Sequence, residues 1–241
     1  MQMLLTGHTH GLGRALGEAA LARGATVYGL ARGRLEPAPT GLVQAQADFA
    51  APAALAACLD ALVPTTAALD VVILNAGVLG PIAAMVDTPL DELRQVMDVN
   101  VWANKVILDW LVGRAAVPGQ VVLMSSGASQ SGHFGWGAYA LSKAALNMLA
   151  RLYAHELPHS HLVALAPGLV ATAMQDELAR HDAATFPSLA RLHAARGTAD
   201  MPTPAVAAAH LLDLLPALQR FPSGEFVDVR RAFPAVPAPP S

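Results

Sequence analysis

Tyr139 and Lys143 lie four positions apart in an alanine-rich stretch that reads as helix, a spacing that puts both on one face. An ammonium beside a phenol favours the phenolate, so the pair predicts a tyrosine whose pKa falls and whose proton exchanges near neutrality. That is the acid a carbonyl substrate requires; the same spacing also describes an exposed helix pair. Thirteen residues earlier, Ser126 follows the apolar run 121–124, where a hydroxyl at a strand's carboxyl end reaches the same substrate oxygen. Ser125, Ser129 and Ser131 compete for that role if the loop folds differently. Asn100 is a poor helix former inside a helical stretch, which asks for a reason beyond propensity.

At the amino end the apolar run 3–5 is followed by Thr6-Gly7-His8-Thr9-His10-Gly11-Leu12-Gly13 and a helical run over 14–23. Gly7 permits a tight turn, Gly11 lets backbone approach a pyrophosphate, and Gly13 allows close helix packing. The helix amino terminus then offers free N–H groups and a positive dipole end to the phosphates. Thr9, His10 and Leu12 complete this cofactor-binding stretch. His8 and His10 lack a carboxylate or thiolate partner and read as lining of the cofactor site, with no metal. After the second apolar run, where an acidic residue would accept a hydrogen bond from the ribose, stand Ala31, Arg32, Gly33 and Arg34. A missing carboxylate beside a guanidinium predicts NADP(H) in preference to NAD(H); the plainer alternative is that Arg32 and Arg34 solvate a surface turn.

The elements that must position these groups are seven apolar runs, at 3–5, 26–30, 42–45, 71–74, 121–124, 162–165 and 226–229, separated by helical stretches. Such alternation predicts an α/β fold, a doubly wound parallel sheet of the Rossmann kind with about seven strands and helices on both faces. The length of 241 residues suits one large domain, placed at 1–231. Four prolines within 232–241 predict an extended tail. The stretch 173–204, broken by Pro187, Gly197, Pro202 and Pro204, reads as a mobile lid. Met174, Phe186 and Leu189 in it either touch substrate or pack when it closes. His133, Phe134 and Trp136 either shape a substrate pocket or, for Trp136, fill the loop's core.

Composition excludes several classes. Hydrophobic residues make up 54% and charged ones 14%, but much of the apolar content is alanine. The longest apolar runs break well short of the roughly 20 residues a bilayer needs, so no membrane span is expected, and the first five residues lack the form of a secretory signal. A net charge of −3 without a Lys/Arg cluster argues against nucleic acid. The single cysteine, Cys58, points to a reducing, cytoplasmic setting. His155-Glu156-Leu157-Pro158-His159 matches a zinc-protease pattern by letter, but Pro158 breaks the helical turn that such a site needs.

Taken together, Thr6-Gly7 through Gly13, Asn75-Ala76-Gly77, Asn100, Ser126, Tyr139 with Lys143, and Pro167-Gly168 with Thr172 resemble the short-chain dehydrogenase/reductase family, in its order and intervals. The resemblance implies an oxidoreductase that reduces a carbonyl or oxidises the matching alcohol, with Tyr139 as general acid/base. It implies that Lys143 lowers the Tyr139 pKa and holds the nicotinamide ribose, that Ser126 polarises the substrate oxygen, and that Asn100 holds a proton-relaying water. It assigns Asp48 to the adenine, Asn75 to bracing the sheet, and Ala76 and Gly77 to giving the cofactor room. Pro167, Gly168, Val170 and Thr172 would meet the nicotinamide carboxamide. A homodimer or homotetramer through the helices bearing Asn100 and Tyr139 is also implied. Arg230-Arg231 departs from the family's glycine pair. Two other readings stand beside this one: reduction of a 3-oxoacyl thioester, with Arg94, Lys105 and Arg151 as the scattered basic candidates, and a non-catalytic NADP-binding sensor.

Overall fold

The computed structural model describes residues 1–234. The apolar runs form strands β1 (Gln2–Thr6), β2 (Thr26–Ala31), β3 (Leu42–Gln46), β4 (Val71–Leu74), β5 (Gln120–Met124), β6 (His161–Ala166) and β7 (Glu225–Asp228). They make one parallel sheet in the order β3-β2-β1-β4-β5-β6-β7. The helices are α1 (Gly11–Ala22), α2 (Leu55–Leu62), α3 (Leu90–Met97), α4 (Ala103–Val112), α5 (Ala128–Ser131), α6 (Gly137–Glu156), α7 (Ala173–Leu178), α8 (Leu189–Ala195), α9 (Pro204–Leu218) and α10 (Val229–Ala232). Among the described residues no helix is long and apolar enough to cross a membrane.

Strand side chains alternate between two apolar layers, which is why most strands read as unbroken apolar runs. Leu4, Val72, Leu74, Val121, Leu123 and Leu162 pack with α2, α4 and α6. Met3, Leu5, Ile73, Val122, Val163 and Leu165 pack with α1 and α9 on the other face. The edge strand β3 is only partly buried and carries Gln44 and Gln46.

Several boundaries differ from the sequence reading. Helix α1 starts at Gly11 rather than at 14, because the N–H of Arg14 already reaches the carbonyl of His10. The last strand stops at Asp228, whose carboxylate accepts from the N–H of Arg230 at 3.0 Å and starts α10, so Val229 is helical. Of the tail expected over 232–241, Ala232 ends α10 and residues 235–241 lie outside the described residues. Helix α6 ends at Glu156, so His155 and His159 do not share a helical turn.

The direction of strand order reverses between β1 and β4, and a crevice opens at their carboxyl ends. Thr6 closes its floor: its Oγ1 accepts from the N–H groups of Asn75 (2.9 Å) and Ala76 (3.0 Å). The Asn75 amide donates in turn to the Thr6 carbonyl at 3.1 Å. Helix α1 starts directly over this junction, and a Cβ on Gly13 would overlap both the Gly7 carbonyl oxygen and the Asn75 amide. Gly13→Ala therefore has to displace the helix or the junction, and should lower the unfolding free energy by about 1–3 kcal/mol. An unchanged midpoint and slope in urea unfolding would contradict this packing.

Candidate active site

The crevice widens into a cleft of about 540 Å³ that takes in most of the residues singled out from sequence. Its floor and one end are Gly7, Thr9, His10, Gly11, Leu12 and Gly13, with Ala31 and Arg32 after β2 and Asp48 after β3. Its middle is Asn75, Ala76 and Gly77 after β4, and Ser126, Tyr139 and Lys143. Pro167, Gly168, Val170 and Thr172 follow β6 along the opposite wall, and Trp136 and Met174 line the far end. Asn100 is fully buried behind the cleft rather than lining it. His133 is not part of the lining either: it is exposed, its ring edge-on to Trp136 with centroids 6.0 Å apart.

The phosphate-loop end is shaped by Gly7, which turns the chain at φ +74° and donates from its N–H to the Leu30 carbonyl at 2.8 Å. The first-turn N–H groups of α1 have no side-chain cap, since His10 makes no capping hydrogen bond. Thr172 stands across from Gly11, with its Cγ2 3.4 Å from where a Cβ on that glycine would be. One expectation fails here. His8 does not line the cleft; it is buried at 1% exposure and turns away toward β2 and β3, because the chain reverses at Gly7.

A buried hydrogen-bond network organises the central groups. Lys143, only 4% exposed, donates from Nζ to the Met124 carbonyl at the end of β5, 2.7 Å away. Asn100 sits in a π-helical turn, Asp98–Trp102, that joins α3 to α4. Its Oδ1 accepts from the Val78 N–H (2.8 Å), and its Nδ2 donates to the Val78 carbonyl and to Ser142 Oγ, each at 2.9 Å. The asparagine thus ties the loop after β4 to the helix that carries Tyr139 and Lys143. Sequence reasoning passed over Ser142 and Thr6; a small hydroxyl within an apolar element is the signal each of them carries.

The structure also decides among the four serines. Ser125 is buried and donates to Asn147 Oδ1 at 2.5 Å. Asn147 Nδ2 donates to Ser129 Oγ (2.9 Å), which donates to the Ser126 carbonyl (2.7 Å). Ser131 is exposed on α5. Ser125 and Ser126 both border the cleft, but the Ser125 hydroxyl is committed to Asn147, which leaves Ser126, beside Tyr139, as the hydroxyl that lowers the phenol's pKa against its burial. Asn147, one helical turn beyond Lys143 on α6, was not singled out from sequence.

Burial dominates the electrostatics. It pushes Lys143 down to about 8. It holds Tyr139 above its ordinary value, with the Ser126 hydrogen bond pulling the other way. The expectation that Lys143 draws the phenol toward neutrality is therefore not met by the chain alone. The ammonium is directed at the Met124 carbonyl, and stands 5.5 Å from the Tyr139 ring centroid.

The cleft also carries a set of apolar residues, alongside Glu92, Gln95 and Gln175. Leu79, Trp136, Leu169, Met174, Leu178 and Leu192 line it, and Trp136 also packs against the small core of Leu178, Leu189 and Leu192. Both readings of Trp136 hold at once. Leu189 is core, fully buried, and Phe186 stacks on the exposed Phe134 with centroids 5.6 Å apart. Beside the cleft, Arg230 forms a two-point ion pair with the buried Asp228 (3.1 and 2.8 Å) and lies along Gly168 and Gly127. Arg230 thus acts as a cationic brace beside these two loops.

A family model described as short chain dehydrogenase matches residues 2–183. The chain is 35% identical to an uncharacterized oxidoreductase of Schizosaccharomyces pombe over 179 residues, 72% of each chain. It is 29% identical to the benzil reductase ((S)-benzoin forming) of Bacillus subtilis over 223 residues, 88% of this chain and 92% of that one. Among solved structures it is similar to the KRED1-Pglu enzyme, with a TM-score of 0.81 and 28% identity over 94% of this chain and 99% of the other. The glycine-turned loop at the crevice, the Ser126–Tyr139–Lys143 cluster and the matched span agree: this chain belongs to the short chain dehydrogenase family of oxidoreductases.

Proposed function

We propose that the protein is an NADP(H)-dependent carbonyl reductase, which also oxidises the matching secondary alcohol. The observation that carries this reading is that Ser126, Tyr139 and Lys143 line one cleft, with the Lys143 ammonium held at the end of β5 and 5.5 Å from the Tyr139 ring centroid. The residues present fit a dinucleotide. Uncapped N–H groups of α1 point into the cleft end where Gly7 and Gly13 exclude side chains, and the cleft runs from there to Tyr139. Gly7, Thr9, His10, Gly11, Leu12 and Gly13 would hold the diphosphate, Asp48 the adenine, and Asn75, Ala76, Gly77, Pro167, Gly168, Val170 and Thr172 the nicotinamide half. When bound, the nicotinamide supplies or accepts the hydride.

At the reacting oxygen, Tyr139 gives up its proton as negative charge develops, and Ser126 donates a hydrogen bond to the same atom. Lys143 steadies the phenolate left behind. Asn100 positions the loop at Val78 and keeps acceptor capacity for the water that passes protons beyond Lys143. Ala31, buried where a carboxylate would repel a 2′-phosphate, and Arg32, exposed at the cleft, support NADP(H). Among the described residues Arg32 has no ion-pair partner, whereas Arg34 lies 3.8 Å from Glu36. The apolar side chains in the lining, Trp136, Leu169 and Met174 among them, and the similarity to a benzil reductase support an apolar, aryl-bearing ketone, with 173–204 acting as the lid. The unpaired Cys58 accords with a cytoplasmic setting. Arg94 and Lys105 are each ion-paired, with Asp91 and Asp109, which leaves Arg151 as the one of the three basic candidates for the thioester reading without an ion-pair partner among the described residues.

Tyr139→Phe should lower turnover of an aryl ketone about 10²–10⁴-fold while leaving NADPH affinity near wild type. A variant that keeps its turnover would overturn the role of the phenol, and wild-type protein that binds NADPH but turns over no carbonyl would favour the sensor reading.

Lys143 supplies a pH signature. Its pKa is held at about 8 in the folded chain against 10.5 for an ordinary lysine, so between those values the unfolded chain binds more protons and folding stability rises with pH. Lys143→Met should remove this rise. Urea unfolding of both proteins at about pH 7 and about pH 9.5 measures it, and an identical rise in the variant would contradict the burial of the charge.

The outer face of α6 carries exposed Leu141, Met148 and Leu152, and Trp102 is exposed next to α4. We assign this face to a homodimer, the unit of any larger assembly. Leu152→Glu should convert a dimer to monomer in sedimentation velocity; a wild type that sediments as monomer at high concentration overturns the assignment.

A further inference from the structure

His8 and the two glutamines of β3 are used by none of the chemistry above, yet they join the two loops that meet the phosphates. The His8 ring lies against Gly29 of β2 so closely that a Cβ on that glycine would stand 2.7 Å from ring atoms Cγ and Nδ1. Gln44 is the residue paired with Gly29 across the β2–β3 ladder, and its Oε1 is 3.0 Å from His8 Nε2.

The direction of that hydrogen bond follows from the neighbours. The Leu35 N–H donates to Gln44 Oε1 and Gln44 Nε2 donates to the Leu35 carbonyl, each at 2.9 Å, which orients the amide. His8 must therefore be the donor through Nε2. Its Nδ1 is buried and has no partner among the described residues. Two positions along the same strand face, Gln46 Nε2 donates to the Arg32 carbonyl at 3.1 Å. The loop 32–35 is thus pinned at both ends from an edge strand, and one of the pins is tied to the residue between Gly7 and Thr9. Gly33, in the middle of the loop, faces Thr9, whose side chain lies 3.9 Å from where a Cβ would be.

Resting on the NADP(H) reading, we propose that His8, Gln44 and Gln46 are positioning residues for cofactor specificity. They hold Arg32 at a set separation from the pyrophosphate loop, so that a nucleotide bearing a ribose 2′-phosphate is gripped at both phosphate sites together. Arg32 is a long, exposed side chain on a short loop, and pairing of guanidinium with phosphate is directional. Freeing its backbone lowers the gain from the 2′-phosphate while leaving the diphosphate contacts at α1 in place.

The test is a fluorescence titration of the full chain with NADPH and, separately, NADH, on wild type, Gln44→Leu and His8→Phe, each checked for a cooperative unfolding transition. His8→Phe keeps a ring over Gly29 and loses the donor, so it remains informative if Gln44→Leu fails to fold. Each folded variant should weaken NADPH about tenfold while NADH changes by less than about twofold, so that the preference collapses. Equal weakening of both cofactors, or a preference that survives in a folded variant, overturns the specificity role and leaves the NADP(H) reading standing. A wild type that binds NADH as tightly as NADPH overturns that reading and, with it, this role.

Discussion

Two adjacent parallel strands, β1 and β4, send their chains in opposite directions across the sheet, and everything that follows depends on how the gap between them is closed. The closure is local: the Thr6 hydroxyl takes two backbone N–H groups from β4's end, and the Asn75 amide returns a bond to β1. With these donors satisfied, α1 can start directly over the junction and leave its own first-turn N–H groups facing open space. The uncapped end of α1 therefore rests on backbone groups that side chains satisfy.

Further along the cleft a charge is kept where the surroundings do not favour it. Burial depresses Lys143, and the Met124 carbonyl, Asn100 and Ser142 hold in register the elements that surround it. Such a site opposes stability in exchange for an ordered, low-dielectric wall that keeps the ammonium 5.5 Å from the Tyr139 ring centroid. The π-helical turn at Asp98–Trp102 belongs to this arrangement, since it carries Asn100, whose side-chain amide bonds to Val78.

Two further features tie the surroundings of the cleft to other parts of the fold. Arg230, anchored on Asp228, braces the loops that hold Gly127 and Gly168, so the carboxyl end of the fold bears on both walls of the cleft. His8 joins the other end of the cleft to the edge strand, and its bulk is accommodated only because residue 29 is a glycine. Neither feature alters the reacting groups; both bear on the loops that surround them.

The strand runs were legible because a parallel sheet buries both faces of each strand, so Val71 to Leu74 or Val121 to Met124 read as continuous apolar segments. The glycine loop and Tyr139 with Lys143 were legible because their chemistry lies in local spacing, and Ser126 was legible as one of four candidate serines. Three things were not. Which serine hydroxyls are already engaged was settled by Asn147, eighteen positions beyond Ser129 in the chain but within hydrogen-bond reach of it and of Ser125. The direction of His8 was settled by a glycine on β2 and a glutamine on β3. The Tyr139 and Lys143 pKa directions were settled by burial, which sums over neighbours from β5, α6 and the loop after β4. Residue order determined the elements and the chemical groups, because periodicity and spacing are properties of the chain itself. The tertiary structure decided orientation, partner choice and protonation, because those depend on atoms that folding brings together from distant positions.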